Sequence, residues 1–178
     1  HIVLAIMGVS LAGALLAFLR FNVTPALIFM GDTGSLLVGL ICSILTIEFL
    51  RLHHDPAFLA NYPEWTFQAV PAVAMGILIF PLFDTLRVFI MRLLRGRSPL
   101  SPDRSHIHHL LIDSGFSHMQ ATCILLFVNL CFILLVIYFD SIGSLPLLFL
   151  TFGIALLLTG WLYYTVVRRR RALGRPIV

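Results

Sequence analysis

The stretch Leu145-Pro-Leu-Leu-Phe-Leu-Thr-Phe-Gly-Ile-Ala-Leu-Leu-Leu-Thr-Gly-Trp-Leu-Tyr-Tyr-Thr-Val-Val167 carries no charged residue and is closed by Arg168-Arg169-Arg170-Arg171. A helix of roughly 20 apolar residues crosses the ~30 Å hydrocarbon layer of a bilayer. Lipid admits only spans whose backbone hydrogen bonds are satisfied internally, and a transmembrane barrel would show short segments of alternating polarity. This run does not alternate, so it reads as a membrane helix. Working outward, four more apolar runs lie at 2–19, 35–50, 69–94 and 121–139. The first and fourth suit one span each. The second is short, and the third is long and interrupted by Pro71, Pro81, Asp84 and Arg87. The 178 residues are 60% hydrophobic and only 11% charged, against about 25% charged in soluble domains. The expected fold is all-α: a polytopic integral membrane protein with about five transmembrane helices. One transmembrane domain is expected over 1–167, followed by a basic cytoplasmic tail at 168–178.

All twelve basic residues are Arg, and they cluster at the ends of apolar runs, as membrane orientation demands, rather than in a nucleic-acid-binding patch. Lys and Arg favour the cytoplasmic side. The loop 21–34 is bordered by Arg20, and 95–117 carries Arg95, Arg97 and Arg104 beside Arg92. The loop 51–68 has one Arg, and the turn 140–144 has none. One orientation satisfies all of these: 21–34, 95–117 and the tail face the cytoplasm. It leaves the sequon Asn22-Val23-Thr24 inside, where it is not glycosylated. Tyr62 and Trp65 suit the opposite interface, and no chemistry is assigned to that loop. Cys42, Cys123 and Cys131 lie within apolar runs and read as small hydrophobes, with no disulfide or metal assigned. The chain begins at His1, and residues 2–19 show neither a basic n-region nor a small-residue cleavage site, so no signal peptide is read. A piece of a longer protein is expected.

Polar residues gather on the cytoplasmic loops. Asp32 stands between Gly31 and Thr33-Gly34, where the second helix begins. Glycines let the backbone bend and approach a ligand closely, and unpaired helix-start amides attract anions. Asp32 could hold magnesium, which prefers carboxylate and substrate phosphate oxygens, or serve as an N-cap within a glycine turn. Farther on, Arg104-Ser-His106-Ile-His108-His109 precedes Asp113 and Gly115. Pro102 and Gly115 are good helix boundaries. A helix over 103–114 would place His106, His109 and Asp113 on one face and Arg104 with His108 on another. Such a surface could bind a transition metal, or a phosphate or base. Asp84 and Arg87, at i and i+3 in an apolar run, are either an interfacial ion pair or functional.

At these residues the sequence resembles a family. Asn22-Val-Thr-Pro-Ala-Leu-Ile-Phe-Met-Gly-Asp-Thr-Gly-Ser-Leu-Leu-Val-Gly39 is similar to the signature of the polyprenyl-phosphate N-acetylhexosamine-1-phosphate transferases. Phe80-Pro-Leu-Phe-Asp-Thr-Leu-Arg87 and Ser98-Pro-Leu-Ser-Pro-Asp-Arg-Ser-His-Ile-His-His109 resemble its glycan-initiating branch, which supplies lipid-linked sugar for lipopolysaccharide O-antigen, teichoic acid and related cell-wall polymers. The sister branch, the phospho-MurNAc-pentapeptide translocases, has three consecutive histidines, whereas Ile107 interrupts the run here. The resemblance covers about residues 1–140.

The resemblance implies transfer of phospho-N-acetylhexosamine, such as that of UDP-N-acetylglucosamine, to undecaprenyl phosphate with release of UMP, in the bacterial cytoplasmic (inner) membrane. It implies a magnesium cofactor, with manganese as the alternative, and allows a homodimer. It casts Asp32, His108 and His109 as catalytic, with Asp32 the metal ligand, and Asn22, Gly31, Thr33, Gly34, Arg104 and His106 as substrate-binding. The family also carries an adjacent Asp-Asp pair on an earlier loop. None exists here, so this chain is expected to be a C-terminal half that is inactive alone. A non-catalytic membrane relative and a transporter piece, whose broken helices would gather polar groups at midplane, are the competing classes.

Overall fold

A computed structural model describes residues 2–23, 26–96, 98 and 106–172. Among them every long element is helical: α1 (Ile2–Asn22), α2 (Gly31–Leu52), α3 (Pro56–Asn61), α4 (Val70–Ile77), α5 (Ile79–Leu94), α6 (Ile107–Asp113), α7 (His118–Tyr138) and α8 (Ser144–Ala172). Short 3-10 turns occupy Pro63–Trp65 and Asp140–Ile142. Helices α1, α2, α7 and α8 are long and apolar enough to cross a membrane, and α4 with α5, bent by 78° at the break between them, makes a fifth if the pair is counted as one span. The protein is therefore all-α and polytopic. The chain divides into two units, His1–Thr66 and Phe67–Val178.

In the first unit α1 and α2 are neighbours, and neither buries a residue. Their apolar side chains face outward, an arrangement that lipid rather than water solvates. Helix α2 begins at Gly31, earlier than the apolar run alone indicates. Gly31 has φ +67, a left-handed turn that glycine makes without steric cost. The Met30 side chain folds over Gly34, where a Cβ would lie 2.6 Å from Met30 Cγ. Past α2, the buried His53 organises the chain. Its Nδ1 lies 2.8 Å from the Phe49 carbonyl oxygen and its Nε2 3.2 Å from that of Trp65. Asp55 caps α3 by accepting from the Ala57 amide at 2.9 Å. Glu48 is paired with Arg51 at 2.8 Å.

In the second unit α4 packs against α7 and α8. Gly76 permits this approach, because a Cβ there would lie 2.3 Å from Val136 Cγ1, and small residues let membrane helices close together. The break after Ile77 has a local cause. Pro81 has no N–H to offer the Ile77 carbonyl four residues back, and its ring excludes that carbonyl. The start of α4 is capped from a distance: Asp140 Oδ2 accepts from the Gln68 amide and Oδ1 from the Ala69 amide, each at 2.7 Å. Ser117 and Gln120 form a reciprocal capping box that starts α7. Helix α8 has 29 residues, about 43 Å at ~1.5 Å per residue, which exceeds the ~30 Å hydrocarbon layer. It continues through Arg168–Arg171 to Ala172, so these arginines are helical where a tail is expected. Residues 173–178 lie outside the described residues.

Candidate functional site

The first-unit candidates surround the connection between α1 and α2. Asn22 is the last residue of α1, and Gly31, Asp32, Thr33 and Gly34 form the first turn of α2. Asp32 is not the N-cap. That position is held by Met30, and no side chain caps the helix. Ser35 Oγ donates to the Asp32 backbone carbonyl at 3.0 Å, while the exposed Asp32 carboxylate makes no hydrogen bond or ion pair among the described residues. An acidic group in a first turn also meets the positive end of the helix dipole. Among the described residues the fold makes no use of this carboxylate.

The second-unit candidates are carried by α6. Ile107, Leu110 and Leu111 are buried and seat the helix on an apolar cluster that includes Ile79, Phe83, Ala121 and Phe132. Beneath α6 lies a partly open apolar pocket of about 130 Å³, with Ile107 and Leu111 on one side and Phe83, Val128 and Trp161 among its other walls. The start of α6 is fixed from α5. His106 holds the N-cap position in an extended conformation without using its side chain as the cap. Instead Asp84 Oδ1 accepts from the Ile107 amide at 3.1 Å, and Asp84 Oδ2 lies 2.8 Å from His106 Nδ1. Arg87 Nη2 donates to Asp84 Oδ1 at 2.9 Å. Asp84 is only 7% exposed, and a buried carboxylate persists where it is both paired and hydrogen-bonded.

The end of α6 is fixed from α8. Gly115, at φ +96, stops the helix in the left-handed conformation common after a C-terminus. Asp113 Oδ2 accepts from Arg170 Nη2 at 2.6 Å. Between these ends His108 meets His109 and His118, with ring centroids 5.8 Å and 5.7 Å away. The His108 pKa is lowered from 6.5, first by burial and then by the neighbouring His109 and His118 charges, so the neutral ring is favoured.

The structure thus carries His108 and His109 on one short helix with His106 at its N-cap, and Gly31, Asp32, Thr33 and Gly34 together on one helical turn. Arg104 and the expected helix start at 103–105 lie outside the described residues. The envisaged metal face of His106, His109 and Asp113 does not form, because His106 turns to Asp84 and Asp113 to Arg170. No group of three His, Cys, Asp or Glu residues converges as a metal site among the described residues. Four residues that shape this region were not assigned to it from sequence: Asp84, His118, Arg169 and Arg170. The polar pair inside an apolar run was the available signal for Asp84, but its partner 22 residues later had no sequence mark.

The sequence pattern of glycosyl transferase family 4 matches residues 1–50. Over 121 residues the chain is 36% identical to the decaprenyl-phosphate N-acetylglucosaminephosphotransferase of Mycolicibacterium smegmatis, covering 68% of this chain and 30% of that relative. Over 117 residues it is 36% identical to the probable undecaprenyl-phosphate N-acetylglucosaminyl 1-phosphate transferase of Bacillus subtilis, covering 66% and 29%. The undecaprenyl-phosphate alpha-N-acetylglucosaminyl 1-phosphate transferase of Escherichia coli K12 is 33% identical over 122 residues, 66% of this chain and 30% of that relative. The chain therefore spans about 30% of the length of these curated relatives. No solved structure matches it.

Proposed function

We propose, from the premise that this chain is a homologue of the polyprenyl-phosphate N-acetylglucosamine phosphotransferases, that the full-length protein transfers phospho-N-acetylhexosamine from a UDP-sugar to undecaprenyl phosphate. A phosphate oxygen of the lipid attacks the sugar-bound phosphorus. The bond from that phosphorus to the UMP oxygen breaks, UMP departs, and a polyprenyl-pyrophosphate sugar remains. The observation that supports this proposal is similarity over about two thirds of the chain to relatives each named as a polyprenyl-phosphate N-acetylglucosamine phosphotransferase.

Phosphoryl transfer depends on positioning and on neutralising charge at the moving group. Asp32 supports that role, being an exposed carboxylate in a first turn that the described fold does not occupy. Magnesium takes one or two carboxylates and completes its shell with water and substrate phosphates, so a single Asp fits it and Asp32 would hold it. The ion supplies charge neutralisation at the pyrophosphate. In the second unit His106, His108, His109 and Arg104 are assigned to substrate binding by the resemblance, and so, in the first unit, are Asn22, Gly31, Thr33 and Gly34. The arginine distribution supports a cytoplasmic face for these groups in a bacterial inner membrane.

The test is UMP release by the full-length protein given UDP-N-acetylglucosamine, undecaprenyl phosphate and magnesium. Asp32→Asn is expected to lose nearly all turnover at normal protein level, since metals of this kind contribute several kcal/mol to the transition state. Near-wild-type turnover by that variant would reject the role of Asp32. A wild-type protein that releases no UMP from any UDP-N-acetylhexosamine would reject the transfer itself.

A further inference from the structure

We infer that Asp84 is a positioning residue of this site: it holds the His106 ring so that Nε2, not Nδ1, is the atom offered to the nucleotide-sugar. The inference rests on the transfer function proposed above. It is carried by three donors converging on one buried carboxylate.

An aspartate that merely neutralised Arg87 at the membrane boundary would need one partner, and the i,i+3 arginine supplies it at 2.9 Å. Asp84 has two more, both across the chain on the histidine helix: the Ile107 amide at 3.1 Å and His106 Nδ1 at 2.8 Å. An amide can only donate. A carboxylate paired with a guanidinium accepts, so Nδ1 is the donor to Asp84. That commits Nδ1 and turns the opposite edge of the ring, with Nε2, away from α5. The His106 side chain is 44% exposed while that of Asp84 is 10% exposed. The ring is thus gripped on its buried edge and presented on its open one. A carboxylate behind an imidazole fixes its tautomer and orientation in hydrolase triads and around metal-bound histidines alike. Asp84 also secures the first amide of α6, so the same group sets the ring and the start of the helix that carries His108 and His109.

The experiment uses the full-length protein and follows UMP release against UDP-sugar concentration. Asp84→Asn keeps the size but weakens the acceptor, and His106→Gln removes the ring. If Asp84 acts through His106, Asp84→Asn lowers kcat roughly tenfold to hundredfold. The double variant is then no slower than His106→Gln alone. Asp84→Glu, which keeps the charge, recovers part of the loss. Wild-type kcat in Asp84→Asn, or a double variant whose losses multiply, would overturn the inference. Variants that fail to accumulate do not block the test, because ¹⁵N-histidine NMR of the wild-type protein reports the protonated nitrogen directly. A proton on Nδ1 of His106 is expected, and a neutral ring protonated only at Nε2 refutes the arrangement. Absence of UMP release in the wild type is a separate result: it sinks the transfer proposal, while the NMR still decides how the ring is held.

Discussion

Arg170 Nη2 donates to Asp113 Oδ2 at 2.6 Å, which fastens the C-terminal end of α8 to the end of the histidine helix. Directly beside this pair the Arg169 guanidinium lies over Gly115. The two contacts differ in kind. The ion pair is partly exposed, at 21% and 39%, and such pairs contribute about 0–1 kcal/mol. Gly115 is held at φ +96, where a side chain costs roughly 1–2 kcal/mol, and an added Cβ would also evict Arg169. Gly115→Ala is therefore expected to lower the Tm of the detergent-solubilised protein clearly more than Arg170→Ala does. The reverse order would contradict the clamp.

Gly76 and Val136 set the closest approach of α4 to α7. Adding volume to a packed contact costs about 1–3 kcal/mol. Gly76→Val should destabilise the protein by that order, and Val136→Ala, which empties the opposing space, should recover much of the loss in the double variant. Equilibrium unfolding in mixed detergent measures both. Additive losses would mean the helices do not meet there.

The lowered His108 pKa makes a prediction with a definite sign. Below 6.5 the unfolded chain binds the proton more readily than the folded one. Stability then falls as pH drops through that region, and the contribution is fully present above it. Hydrogen exchange of α6 amides should accelerate, beyond its intrinsic pH dependence, as pH is lowered from about 7 toward 5, and His108→Gln should remove that excess. His118→Gln should reduce it, because one of the two repelling rings is gone. An unchanged profile in His108→Gln would assign the effect elsewhere.

The cytoplasmic orientation is tested by labelling. With a membrane-impermeant maleimide applied to intact cells, Cys at Ser98 or Arg175 is expected to stay unlabelled, while Cys at Asn61, exposed in α3, reacts. Labelling at Ser98 or Arg175 would invert the topology and move the proposed site to the other face.

The number and type of the long helices were legible because apolar run length is a one-dimensional property and lipid enforces it. The break in the third run was marked by Pro81, whose effect on a helix is local. Gly31 also marked a turn, though not that α2 would begin there and leave Asp32 inside the helix. The docking of α6 was not legible. A regular helix predicts that His106 shares a face with His109 and Asp113, yet His106 sits at the N-cap in extended geometry and answers to Asp84 on another element. Likewise Asp113 pairs with a residue 57 positions away. Periodicity reports which side chains are neighbours within one helix, and it is silent about partners that only tertiary packing supplies.

Asp140 reaches back 72 residues to the Gln68 amide and 71 to that of Ala69, and this orders the biogenesis of the second unit. During synthesis α4 leaves the ribosome before Asp140 exists, so its leading amides have no carboxylate to meet. They gain one only when the turn joining α7 and α8 has been delivered to the same side of the bilayer. The broken span must therefore enter the membrane as an unfinished element and mature late, when the C-terminal hairpin arrives and locks its entrance.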